Sequence, residues 1–114
     1  MSDLGATSGP WLGWSIQYGI RIGEQMKLHI TDGRVEGTGM DKDGDFEVVG
    51  TFGSGPQGIS MTRRYSRTNE PSQAGVGIPY LYVGTWDGSI AYGTWCPLLN
   101  PHSDGGPFEM WPAS

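Results

Sequence analysis

The pentapeptide Asp41-Lys42-Asp43-Gly44-Asp45 opens like a calcium loop, because carboxylates at first, third and fifth positions can converge oxygens on a hard cation. The pattern then breaks: the sixth position, where a sharp turn wants glycine, is Phe46, and the twelfth, where a bidentate Glu belongs, is Phe52. The stretch therefore reads as a hairpin turn held by aspartate side chains, with no metal. His29 counts to a place opposite Glu36, with Thr38 and Glu47 on the same face, which suits acid–base work because a carboxylate can orient an imidazole. Lys27, Arg34 and Arg64 share that face, however, and such a mixture describes the solvated outside of a sheet. His102 stands in a Pro-rich loop with no second ligand at a metal spacing, and Cys96 has no neighbouring base and reads as a small buried hydrophobe.

Arg63 and Tyr65 carry more information. Their parity puts them with Ile59 and Met61 on an apolar face, where an unpaired guanidinium has a high desolvation cost. Arg63 is expected either to reach a barrel mouth and meet an anionic or carbonyl-bearing ligand, or to pair with a loop acid such as Glu70 or Asp104. Trp11, Trp14, Tyr80, Tyr82, Trp95 and Phe108 exceed what a core of this size needs, so some of them should line a pocket in which glycines make room. The candidate ligand-binding set is Trp14, Gln17, Arg63, Tyr65, Tyr82, Trp95 and Phe108; no catalytic residue and no cofactor is assigned.

These side chains need strands to hold them. Asp32-Gly33 interrupts two alternating runs, and a two-residue Asp-Gly loop supplies the positive φ angles of a type I′ turn, so Thr31 pairs with Arg34. Counting back places His29 opposite Glu36 and Leu28 opposite Gly37. The turn at Asp41–Gly44 then sets Gly37 opposite Val48 and Gly39 opposite Phe46. One face collects Met26, Leu28, Ile30, Val35, Phe46 and Val48, and the other collects Lys27, His29, Arg34, Glu36, Thr38 and Glu47. Residues 10–22 alternate as one strand whose inward set depends on the length of a turn at Gly23-Glu24. Residues 59–66 alternate again, 67–78 read as a long loop, and a hairpin about Asp87-Gly88 pairs Tyr80 with Trp95, Tyr82 with Gly93 and Gly84 with Ala91. A loop over 97–107 and a short strand at 108–111 complete the chain. The sum is an all-β, up-and-down antiparallel barrel of about eight strands, the number at which a sheet can close and remove its edges.

Composition narrows the function. At 114 residues the chain makes one domain, expected as a mobile tail over 1–9 and a barrel over 10–114. Twenty glycines and eight prolines serve turns and crossings rather than disorder, given 11% aromatic residues. A net charge of −5, with seven Lys and Arg forming no stripe, argues against a nucleic-acid partner. No run is long enough for a membrane helix, and one cysteine with no apolar leader points to a reducing cytoplasm.

Gly9-Pro10-Trp11 before the first strand, Gly37-x-Gly39-x-Asp41, the sequential hairpins, Gly93-Thr94-Trp95 and the closing Gly106-Pro107-Phe108 resemble small avidin-like or calycin-like barrels. The resemblance implies a small organic ligand at one open end and pairing of subunits through barrel walls. Avidins anchor the ureido group of biotin with a polar residue shortly after the first-strand Trp. Here that neighbourhood is Leu12-Gly13-Trp14, so the resemblance carries the architecture and not the vitamin. The expected function is binding of a small, largely apolar or aromatic molecule by a homodimer or higher homo-oligomer. The alternatives are a cofactor-free enzyme (cyclase, isomerase or hydrolase) in the same cavity, and a lectin stacking a sugar on Trp86 and Tyr82.

Overall fold

A computed structural model describes residues 8–100 and 105–113. The chain forms eight strands: β1 (Gly9–Gln17), β2 (Ile20–Thr31), β3 (Arg34–Asp41), β4 (Gly44–Phe52), β5 (Ile59–Thr68), β6 (Pro79–Trp86), β7 (Ala91–Pro97) and β8 (Gly106–Pro112). Each pairs antiparallel with the next, and β8 returns to β1 to close the barrel. Closure leaves no strand edge unpaired. The expected tail over 1–9 falls mostly outside the described residues; Gly9 already belongs to β1, and the Ser8 hydroxyl accepts from the Ile30 N–H at 2.8 Å.

The central meander has the counted register, with His29 opposite Glu36, Gly37 opposite Val48 and Gly39 opposite Phe46. Asp32 and Gly33 take φ of 52° and 77°, as a type I′ turn requires. Asp41 closes the next turn by accepting the Asp43 and Gly44 N–H groups on Oδ1, at 2.8 and 3.2 Å. Gly39 is required by packing: a Cβ there would lie 2.4 Å from Cζ of Phe46, whose ring fills the space over the glycine.

Three local readings change. The first hairpin turns at Tyr18-Gly19, not Gly23-Glu24, because Tyr18 adopts a φ of 51° that a bulky residue seldom takes and that no turn signal announces. β2 therefore begins at Ile20, and Glu24 points inward with Ile22, Met26 and Leu28. β5 extends to Thr68, through a bulge opposite Asp45/Phe46 and an outer-wall ion pair from Arg67 to Asp45 at 2.9 Å, so the loop is 69–78. The β6–β7 turn takes four residues, because Asp87 Oδ1 accepts the N–H groups of Ser89 and Ile90, each at 2.8 Å. That moves the hairpin by two residues, to Tyr82 opposite Trp95, Gly84 opposite Gly93 and Trp86 opposite Ala91. A shift of two preserves every facing.

The interior has a sealed end and an open end. Trp11, Phe52 and Trp86 pack at the sealed end with ring centroids 5.5 to 6.0 Å apart. Edge-on aromatic contacts of this kind add about 0.5–1.5 kcal/mol each beyond area burial. The other end carries the turns at 18–19 and 42–43, the loop 69–78 and the β7–β8 connection.

Candidate functional site

The open end is a cavity of about 380 Å³. Gln17 and Tyr18 reach it from the end of β1 and its turn, Tyr65 and Thr68 from β5, Tyr80 and Tyr82 from β6, and Trp95 from β7. Asp43, Asn69, Glu70, Ala74, Gly75, Ile78 and Pro97 complete its wall. The loop 69–78 is held against the barrel by its own polar groups: the Asn69 amide donates to Lys42 O at 2.6 Å, and the Gly77 N–H donates to Tyr65 O at 2.9 Å. The Gln73 side chain accepts from Thr68 N–H and donates to Thr68 O, continuing the β5 ladder as a strand would.

The aromatic wall is braced from behind. Tyr82 and Trp95 stack at 6.3 Å and 27°, Tyr80 meets Trp95 edge-on at 6.0 Å, and Phe108 backs Tyr82 at 5.2 Å. Trp95 is pinned further by its indole N–H, which donates to Ile16 O at 3.0 Å. The Tyr65 hydroxyl donates to Asp41 Oδ2 at 2.6 Å. Burial, then that bond and the Asp41 charge, hold the Tyr65 phenol far above its ordinary range. Burial likewise raises Tyr80, and it pushes Tyr82 up to about 12 against the opposing pull of Arg63. The hydroxyls of these three residues stay neutral at ordinary pH.

One ring deeper lies a buried charge pair. Arg63 crosses the interior from β5 to β2, where Nη1 meets Glu24 Oε2 at 2.6 Å; the residues are only 3% and 6% exposed. Its guanidinium carbon sits 3.9 Å from the Tyr82 ring centroid and 4.9 Å from that of Phe46, and Nη2 contacts the Met110 sulfur at 3.7 Å. Burial works against the charge, but the Glu24 carboxylate, with smaller electrostatic contributions from Tyr82 and Asp41, outweighs it, so the arginine is held charged and its pKa lies above the ordinary value. The pair is close but poorly aligned: Glu24 Oε2 accepts no well-directed hydrogen bond, and Arg63 Nε has no partner among the described residues. A void of about 10 Å³ touches Arg63, Arg64 and Asp41 and is bordered by Tyr65, Tyr80 and Tyr82, which also line the mouth.

Of the sequence candidates, Gln17, Tyr65, Tyr82 and Trp95 come together on the mouth cavity. Phe108 supports Tyr82 from inside, and Arg63 lies beneath Tyr82. Trp14 lies elsewhere: β1 turns Trp11, Gly13 and Ser15 inward and Trp14 outward, where Arg21 covers its ring at 4.5 Å. The acid paired with Arg63 is Glu24, not Glu70, while Asp104 and His102 lie outside the described residues. Glu24 shares parity with Met26 and Leu28, which is the signal that could have found it. Trp86 lies at the sealed end, away from the mouth that Tyr82 faces.

His29, with Nε2 at 2.9 Å from Thr31 Oγ1, is on the outer wall, and Cys96 is half-buried rather than buried. No group of three or more metal-ligating side chains occurs among the described residues. A larger groove, about 550 Å³, crosses the outside of β1–β5 past Leu12, Gln25, Lys27, Met40 and Glu47, but it lacks the mouth's aromatic enclosure. Comparison of the chain with family models, curated proteins and solved structures finds no match.

Proposed function

We propose that this barrel binds a small, largely apolar or aromatic organic molecule at its open end, in the manner of the avidin-like and calycin-like barrels its sequence resembles. The observation that carries the reading is the asymmetry of the interior: one end is sealed by Trp11, Phe52 and Trp86, while the other is a cavity walled by tyrosine, tryptophan and Gln17. Braced rings with a few fixed polar groups suit recognition of a flat or apolar body at low ordering cost. The apolar rim agrees with this, since Tyr18, Ile20, Val76, Ile78, Leu98 and Leu99 are all exposed around the same end. The proposal includes a homo-oligomer in a reducing compartment and no nucleic-acid partner.

The test is native mass spectrometry of gently purified protein, followed by titration of the stripped protein with the molecule recovered. Gln17→Ala and Tyr80→Ala should fold normally and weaken binding. A protein that carries no small molecule and quenches with none of a broad set of aromatic probes overturns the reading.

A cofactor-free enzyme is the second reading, favoured by the Tyr65–Asp41 pair. The Tyr65 hydroxyl, whose own proton goes to Asp41, keeps an oxygen at the cavity wall that can accept from a bound molecule and relay a proton to that carboxylate. Turnover of the bound molecule, lost in Tyr65→Phe with binding retained, would select it.

A further inference from the structure

We infer that the molecule accepted at the mouth is an organic cation, an ammonium group carried on an apolar or aromatic body. The inference rests on the binding reading above and specifies its chemistry.

Five aromatic side chains line the cavity, Tyr18, Tyr65, Tyr80, Tyr82 and Trp95. Aromatic π faces are negative and favour an alkylammonium over a neutral group of the same shape; Tyr82 already gives its face to Arg63, which leaves Tyr18, Tyr65, Tyr80 and Trp95 to meet a ligand. The charged groups around them have the same preference. Asp43 and Glu70 lie on the cavity wall, Asp41 stands behind Tyr65, and no Lys or Arg among the described residues lines the cavity. Among the described residues four cations are near: Arg67 donates to Asn69 of the cavity wall and pairs with Asp45 at 2.9 Å, Arg64 borders the small void beside Tyr65 and Tyr80, and the other two are Arg63 and Lys42. Arg63 is already neutralised by Glu24 beneath the rings, and Lys42 touches Asp43 at 3.1 Å in a pair whose side chains are 64% and 45% exposed, where solvent screens it. Five carboxylates, Asp41, Asp43, Asp45, Glu24 and Glu70, therefore stand against four cations around the mouth and its floor, with the two on the cavity wall itself both acidic, and an anionic ligand would enter against that charge. The barrel already uses its rings in this way: Tyr82 and Phe46 take the Arg63 guanidinium on their faces. Tyr65, Tyr80 and Tyr82 also stay neutral, since burial raises their ionisation, and so present rings and hydroxyl oxygens.

The experiment compares benzyltrimethylammonium with neopentylbenzene, its neutral isostere, and with phenylacetate, each titrated calorimetrically into the full chain at low salt. The ammonium should bind at least about fivefold more tightly than the isostere, and phenylacetate should bind most weakly. The preference should shrink by about half or more in Asp43→Asn/Glu70→Gln, whose unchanged melting temperature would exclude a folding defect, and it should shrink with added salt. Equal or tighter binding of neopentylbenzene overturns the cation inference and leaves the binding reading standing. Failure of all three probes also overturns it, and the binding reading is then judged separately by the recovered molecule. Tighter phenylacetate binding would overturn it by reassigning Arg63 as the ligand's partner.

Discussion

Removing the Arg63 guanidinium while leaving Glu24 in place should cost this protein a large part of its stability. In Arg63→Ala the Glu24 carboxylate, 6% exposed, loses the charge 2.6 Å away and stays buried in the barrel centre. Breaking one side of a buried pair costs about 3–5 kcal/mol, because the survivor is left charged in a poor solvent. Domains of this size are stable by only about 5–15 kcal/mol in total. With roughly 4 °C lost per kcal/mol, the melting temperature should fall by about 12–20 °C. Replacing both partners separates this from a simple packing loss. Glu24→Leu/Arg63→Met removes both charges, the misaligned contact and the unpartnered Nε, and should recover nearly all of the loss or exceed the parent. Arg64→Ala, on the exposed outer wall of the same strand, should change stability by no more than about 0.5 kcal/mol. Thermal unfolding of the four proteins by circular dichroism decides the matter. The reasoning fails if Arg63→Ala melts with the parent, or if the double variant is no better than the single.

Alkali should destabilise the fold over a defined window. Tyr82 ionises near 12 in the folded chain against about 10 when unfolded, so its contribution is complete below pH 10 and is lost as the pH rises from 10 towards 12; Tyr65 and Tyr80 act in the same direction. Absorbance at the tyrosinate band should therefore lag in the native protein and jump on unfolding, and full titration near pH 10 without unfolding would contradict this. Gly39→Ala puts a methyl within 2.4 Å of the Phe46 ring and 2.7 Å of the Met26 side chain, and should cost about 1–3 kcal/mol by urea unfolding; a neutral result would mean that the ring moves freely. Light scattering should report a dimer or larger, because Leu12, Trp14, Tyr92 and Trp111 place apolar surface on the adjoining outer faces of β1, β7 and β8. A monomer at high micromolar concentration would exclude that association, and Leu12→Lys should produce one.

At two of the chemically announced turns sequence sufficed, while at Asp87-Gly88 it yielded the facing but not the register. Asp32-Gly33 and the aspartates of 41–45 set the register of three strands, and period-two alternation then assigned the strand residues flanking those turns, such as Leu28 and Val48 against His29 and Glu47, to a face, because a strand offers only two. The same parity put Arg63 on the dry face and Arg64 outside. Tertiary structure alone decided the rest. Tyr18 turns the chain in a backbone conformation its side chain disfavours, a local cost that closure of β1 on both β2 and β8 offsets. That choice of turn carried Glu24 inward, Trp14 outward, and Gln17 to the mouth. The pairing of Glu24 with Arg63, and the gathering of Gln17, Tyr65, Tyr82 and Trp95 on one cavity, join strands far apart in the chain. Local propensity has no range over such distances, and only the geometry of a closed barrel brings those residues within reach of one another.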